Sequence, residues 1–374
     1  MKNLRKTGLL ALLATLVMVL AACSGGGRSG DSGSSSGADV SEGASTAAGG
    51  GEVGKIGVSL PQKTSENWVR AEQYFNEAIK EMGLEGTVLF ANGGVTEQQN
   101  QLDTLISGGA KVIVVGAIDG SQLGGQLKSA HDQGIKVIAY DRMLTNTDAV
   151  DYYVAFDAFK VGELQGKSLL EGLEAKKPGG PWTVEIFAGS PDDANSLQFF
   201  NGAMSVLDPE IEAGKIEVKS GQRTFEQAAT QGWKGENAQK RMDTLLSGFY
   251  SGSQPDGVLS PNDNLAQYIL QSFTSAGKTG PVITGQDSEE NAVKRLMDGS
   301  QYSSIYKDTR LLVNEAVKMA KEIQEKGTLD VNDPEGIDNG TKMVPTQALE
   351  PIITTKDNAA EVYKDDPVLA PLTQ

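Results

Sequence analysis

The sequence predicts an α/β protein built of two doubly wound lobes with parallel sheets, and three observations predict it. Short β-branched runs alternate with stretches of helical periodicity along most of the chain, the pattern of parallel strands joined by right-handed crossovers. The runs are apolar nearly throughout, as in strands covered on both faces. There are ten of them, too many for one comfortable open sheet, and the two halves of the chain look alike, so two Rossmann-like lobes are expected. A single eight-stranded barrel with extra strands is the competing arrangement, which pairing between its first and last strands would close.

In chain order, "MKNLRKTGLLALLATLVMVLAACSGGG" opens with a basic start, an apolar stretch and small residues before Cys23, the layout of a secretory signal. The apolar stretch approaches the lower limit for a membrane span, so an uncleaved anchor is the alternative. Residues 24–53 are almost wholly Gly, Ser, Ala and a few acids, too poor in apolar surface to fold, and are expected to form a flexible tether. The folded part starts at "GKIGVSL". The strands expected after it are "TVLFAN", "KVIVVGAI", "KVIAYD", "YYVAFD", "TVEIFAG", "IEVKSG", "GVLSPND", "PVITGQD" and "SSIYKD". Between the first two, "WVRAEQYFNEAIKEMG" puts Trp68, Ala71, Phe75 and Ile79 on one helical face and closes on a glycine. A break between lobes is expected near residues 156–160.

Composition removes several function classes. The chain has 374 residues and a net charge of −16, which argues against nucleic acid, whose phosphates are held by Lys and Arg. One Cys and one His exclude an internal disulfide and a Cys/His metal cluster, and leave any nucleophilic machinery to rest on His131 alone.

In open parallel sheets a ligand sits beyond the carboxyl ends of the strands. Here those ends are rich in amides and carboxylates: Asp141 and Arg142, then Asp192, Asp193 and Asn195, then Asn262 and Asp263, Gln286 and Asp287, and last Lys307 and Asp308. Each pair could serve as a helix N-cap. Five such ends in succession suggest more, because carboxylates and amides beside Arg and Lys suit a neutral ligand whose hydroxyls both donate and accept. A sugar also needs an aromatic plate for its C–H face. Trp68 and Trp233 are placed for that, with core packing the other reading for Trp68, whereas Trp182 reads as core.

The segments "IAYDRML", "GELQGKSL", "GSPDDAN", "GWKGENA", "GQD" and "YKDTRLL" resemble those of bacterial periplasmic sugar-binding proteins of the type I fold, notably xylose-binding and multiple-sugar-binding members, from about Lys55 to Pro351. The "LAAC" segment resembles a lipobox. The resemblance implies a lipoprotein anchored through Cys23 at the outer face of the membrane. It would be a monomer without cofactor, metal or catalytic residues, and would pass a monosaccharide to an ABC transporter permease or present it to a membrane sensor. It also implies sugar contacts. Asp141 and Arg142 match the family's "YDR" pair, Asp193 and Asn195 its "SPxDNN" stretch with one asparagine lost, and Trp233 its stacking tryptophan. Asn262, Asp287 and Lys307 match contacts further along the chain. Before Trp68 the relatives tend to carry arginine where this chain has Asn67, so selectivity at that corner is open. The implied architecture is a three-segment hinge between an N-terminal lobe of residues 54–157 and 305–329 and a C-terminal lobe of residues 158–304 and 330–374, with the last crossing before "MVPTQALEPIITT".

Other features read as bland. "GELQGKS" has three residues between its glycines where a phosphate loop needs four, and reads as helix interior. "DVNDPEGIDNG" places Pro334 at a ligand position of a calcium loop and lacks the closing glutamate, so it reads as an acidic surface loop. His131 reads as a solvated helix-end residue. A secreted glycoside hydrolase would use two of the carboxylates, but none is marked as an acid of raised pKa. A repressor of similar fold would carry a DNA-binding helix pair where the signal segment stands.

Overall fold

The computed structural model describes residues 53–63 and 65–374. The signal segment, Cys23 and nearly all of the tether lie outside the described residues. All ten expected strands form. The first lobe runs β1 (Ile56–Leu60), α1 (Glu66–Glu81), β2 (Gly86–Phe90), α2 (Val95–Ser107), β3 (Val112–Val115), α3 (Gly124–Asp132), β4 (Lys136–Tyr140) and β5 (Tyr152–Phe156). The second runs α4 (Ala158–Lys176), β6 (Trp182–Ile186), α5 (Ala194–Glu212), β7 (Ile216–Glu217), α6 (Phe225–Ala228), α7 (Gly235–Phe249), β8 (Gly257–Leu259), α8 (Asp263–Ser275), β9 (Val282–Ile283), α9 (Glu290–Asp298) and β10 (Ser303–Tyr306). The chain closes with α10 (Thr309–Lys326), β11 (Asp333–Asp338), β12 (Met343–Leu349), β13 (Ile352–Thr355) and α11 (Ala359–Val362).

The first sheet has the order β2-β1-β3-β4-β5-β12-β11, parallel except for β11. Side chains alternate across it as the pleat requires. Ile56, Val58 and Leu60 pack with α1 and α10, while Ile113, Val115 and Val137 pack with α2 and α3. In the second lobe β7-β6-β8-β9 are parallel and β10 pairs antiparallel with β13. The Ile305 N–H donates to the Gly285 carbonyl (3.0 Å) and the Asp287 N–H to the Ile305 carbonyl (2.9 Å), which joins the two pieces into one order, β7-β6-β8-β9-β10-β13. Both sheets are open, so the barrel alternative falls.

The closing segments differ from expectation in three ways. Residues 330–349 were expected in the second lobe, but β11 and β12 extend the first sheet. The residues of β5 from Tyr153 to Phe156 are buried, and β12 pairs along them from Thr346 to Leu349. The third crossing therefore falls at residues 350–351, inside "MVPTQALEPIITT" rather than before it, and β10 belongs with the second lobe while α10 packs on the first. The acidic stretch expected as a loop contains β11, an edge strand whose acids face solvent. Gly336 makes it feasible: its φ is +71° and a Cβ there would lie 1.9 Å from the Val344 carbonyl oxygen, at a bulge in the pairing.

"GELQGKS" is interior to α4, as expected. Its Gly162 sits so close to α5 that a Cβ would lie 1.9 Å from the Phe199 carbonyl oxygen. His131 is exposed in the last turn of α3. No described helix is long and apolar enough to cross a membrane.

Candidate functional site

A cavity between the lobes encloses about 380 Å³ free of protein atoms, part of it open to solvent. Nine of the ten nominated sugar contacts line it: Asn67 and Trp68 from the first turn of α1, Asp141 and Arg142 after β4, Asp193 before α5, Trp233 before α7, Asn262 before α8, Asp287 after β9 and Lys307 after β10. Ser65, Phe199 and Gln286 complete the lining. Phe199 follows the apolar spacing of α5 and carries no sequence signal that separates it from core.

The N-cap reading holds for residues that also line the cavity. Asp193 caps α5 by accepting the Asn195 N–H (3.0 Å), and Asn262 caps α8 by accepting the Leu265 N–H (2.9 Å). The other oxygen of Asp193 accepts from the Trp233 indole N–H (3.1 Å) and lies 3.1 Å from Arg142 Nε. Burial raises the Asp193 carboxyl above its ordinary range against the pull of Arg142. Arg142 in turn donates to the Ala117 carbonyl (3.0 Å), and its guanidinium carbon sits 5.1 Å from the Trp68 ring centre. A second buried pair joins Lys307 Nζ to Asp287 Oδ1 at 3.0 Å, with the ammonium 5.5 Å from the Phe199 ring centre.

The aromatics are fixed from behind. Trp68 meets Tyr140 edge-on at 6.1 Å and belongs to the core as well as the lining. Trp233 packs edge-on against Phe199 at 6.5 Å, and Gly189 makes room for it, since a Cβ there would come within 2.2 Å of the indole. Backbone strain concentrates here too. Of the five described non-glycine residues with left-handed φ, three line the cavity: Asp141 (59°), Trp233 (54°) and Asp287 (89°). Each such residue costs about 1–3 kcal/mol and persists only where its surroundings over-determine it.

Asn195 is the exception among the nominated residues. It does not line the cavity but faces a recess on the hinge side. Its amide donates to the Asp141 carbonyl (2.6 Å) and accepts from the Tyr153 hydroxyl (3.2 Å), because the left-handed turn at Asp141 presents that carbonyl to the second lobe. At the opposite rim α1 and α9 meet. The Glu290 N–H donates to Glu66 (2.8 Å), the Glu66 N–H to Glu289 (3.4 Å), and Arg70 reaches both Glu66 and Glu290. The lobes are thus closed on each other at both sides of the cavity.

Two buried atoms in this lining lack an aligned hydrogen-bond partner, Arg142 Nε, which is near Asp193, and Gln286 Oε1, while Asp287 Oδ1 is met by its ion pair with Lys307. One donor and one acceptor left unmet beside aromatic faces, with fixed charges paired off, suit a neutral polyhydroxylated ligand. No group of three or more described residues has a metal-ligating arrangement.

Comparison with known proteins agrees with this chemistry. Residues 56–328 match the periplasmic binding protein domain. The multiple sugar-binding periplasmic receptor ChvE of Rhizobium radiobacter is 42% identical over 316 residues, 83% of this chain and 89% of that protein. The D-xylose-binding periplasmic protein of Escherichia coli is 34% identical over 317 residues, covering 83% and 90%. Among solved structures, an ABC transporter solute-binding protein of Clostridium phytofermentans with bound β-D-glucose superposes with a TM-score of 0.81 at 38% identity, covering 86% of this chain and all of that one.

Proposed function

The chain belongs to the periplasmic binding protein family, and on that premise we propose that it captures a monosaccharide between its two lobes and delivers it to an ABC importer. The cargo is an aldopyranose such as xylose, glucose, galactose or arabinose. The observation that carries this reading is the pair of buried charge contacts, Arg142 with Asp193 and Lys307 with Asp287, in a cavity that Trp68, Trp233 and Phe199 also line. A sugar hydroxyl donates to a carboxylate and accepts from a cation at once, and the ring's C–H face lies on the indole. An anionic ligand would meet the three carboxylates of Asp141, Asp193 and Asp287 against two cations.

Closure follows from contacts made by both lobes. Asp141 and Arg142 come from one and Asp193, Trp233, Asn262 and Asp287 from the other, so the ligand binds the closed form better and shifts the hinge by that difference. The closed form is what the permease, or a membrane sensor, recognises. The protein acts as a monomeric carrier without catalysis, held outside the cytoplasm by lipid on Cys23, with residues 24–53 as its tether.

Calorimetric titration of the full chain with an aldose panel tests the reading, with Trp233→Ala as control. One-to-one binding of one or a few monosaccharides, weakened at least thirtyfold in the variant by loss of about 2 kcal/mol or more of stacking and packing, is the expected result. Well-folded protein that binds no sugar would sink it. Aryl glycosides should be returned unchanged.

A further inference from the structure

We propose that Gln286, a strand-end residue outside the sugar contacts that the family resemblance nominates, is the amide that reads the ligand's hydroxyl configuration, and that Asn195, which the resemblance does nominate, acts instead as a closure latch. The assignment rests on the sugar-binding reading above.

Gln286 is 2% exposed and lines the cavity. Its backbone is committed to the fold, with its carbonyl accepting the Asp263 N–H (3.1 Å) beside the bridge to Ile305. Its side chain is not. Oε1 is buried without a partner. A buried amide oxygen without a partner is costly in a protein interior and persists where a ligand satisfies it. The backbone explains how it comes to face the site. In an extended strand Gln286 and Asp287 would point to opposite faces. The left-handed φ of 89° at Asp287, followed by 52° at Ser288, breaks that alternation, and both residues line the same cavity. Next to Asp287, which only accepts, Gln286 supplies a donor and an acceptor on one rigid plane. That combination distinguishes two neighbouring hydroxyls by their relative orientation, which is what separates sugar epimers.

Asn195 shows the converse. Both ends of its amide contact the other lobe: Nδ2 donates to the Asp141 carbonyl at 2.6 Å, and Oδ1 lies 3.2 Å from the Tyr153 hydroxyl, whose single proton is shared between it and that carbonyl at 2.7 Å. These contacts join residues of different lobes, so they reward closure equally whatever sugar is enclosed.

The test is calorimetry of the full chain, in wild type, Gln286→Leu, Gln286→Glu and Asn195→Ala, with glucose, galactose, mannose and xylose, alongside thermal melting of each variant. Gln286→Leu is expected to weaken the preferred sugar at least tenfold and to change the ratio of affinities among epimers at least threefold, without lowering Tm. Gln286→Glu, which retains an acceptor at the same size, should shift the ratios less. Asn195→Ala should weaken all bound sugars by a common factor and leave the ratios as they are. Unchanged epimer ratios in both Gln286 variants would overturn the assignment of Gln286, and altered ratios in Asn195→Ala would overturn that of Asn195. Absence of sugar binding in the wild type overturns the sugar reading and this assignment with it, whereas wild-type binding with unaffected Gln286 variants overturns the assignment alone.

Discussion

At Lys307 two opposing effects meet. Burial pushes its ammonium pKa down, and the carboxylates of Asp287, Asp141 and Asp193 push it up by more, so it lies above its ordinary value and the charge persists at neutral pH. The side chain is 9% exposed and its partner Asp287 8%, so neither charge can fall back on water if the other is removed. Lys307→Met should therefore destabilise the protein by about 3–5 kcal/mol, the range for breaking one half of a buried pair, and reduce sugar affinity more than tenfold. Adding Asp287→Asn to that variant should recover much of the stability and none of the affinity; thermal melts and calorimetry on the two proteins check this. At this scale the sequence was informative because strand ends announce themselves: an apolar run stops at a polar pair, and the ligand site of a parallel sheet is there. It was uninformative where a residue's partner is set by backbone twist. The direction of the Asn195 amide depends on the left-handed turn at Asp141, fifty-four positions away, and nothing in "SPDDAN" encodes it.

The elements divide in the same way. The central strands were legible from their β-branched runs, since a strand buried on both faces has almost no freedom in composition. β11 was not legible, because an edge strand with solvent on one side tolerates acids, a proline and a bulge glycine, which is also the composition of a loop. The decoy "GELQGKS" shows what its glycines are for. α4 and α5 cross so closely that Gly162 would place a Cβ 1.9 Å from the Phe199 carbonyl oxygen, and Gly202 one 2.1 Å from that of Phe159. Backbone on the opposing side cannot rotate away as a side chain could, so Gly162→Ala must push the helices apart. A loss of about 1–3 kcal/mol in urea unfolding is expected from the overpacking. Because Phe199 on α5 lines the cavity, the same variant should bind sugar more weakly, while Gly248→Ala, where a Cβ meets nothing within 4 Å, should leave binding unchanged.

Across the whole molecule the two lobes close through the rim formed by α1 and α9, and that rim carries a proton-dependent contact. Glu289, the N-cap of α9, is raised to about 8 by burial first and then by Asp263, Asp287 and Glu66, while the Glu66 N–H bond favours its ionised form. Asp263 behind it is raised to about 7 by burial, against Ser304, Arg295 and Gln301. Arg70 and Arg295 are the cations that face this cluster. An acid whose folded pKa lies above its ordinary value holds its proton in the folded state where the unfolded chain has already released it. Stability is then greatest at the acidic side and is lost as pH rises from about 4.5 through about 8. Glu163, lowered to about 2, titrates below that window, so it does not mask the trend. Tm should accordingly fall between pH 5.5 and 8.5, and Glu289→Gln should flatten part of the slope and leave the share that Asp263 contributes. Since Glu66 reaches Glu289 only across the closed rim, opening removes both its charge, which raises the carboxyl, and its N–H bond, which lowers it by less, so sugar affinity should weaken over the same interval in wild type and less so in Glu289→Gln. Melting curves and calorimetry at four pH values separate the two effects: a Tm slope lost in the variant with affinity still pH-dependent would place the titrating contact inside the second lobe and remove the rim from the closing equilibrium.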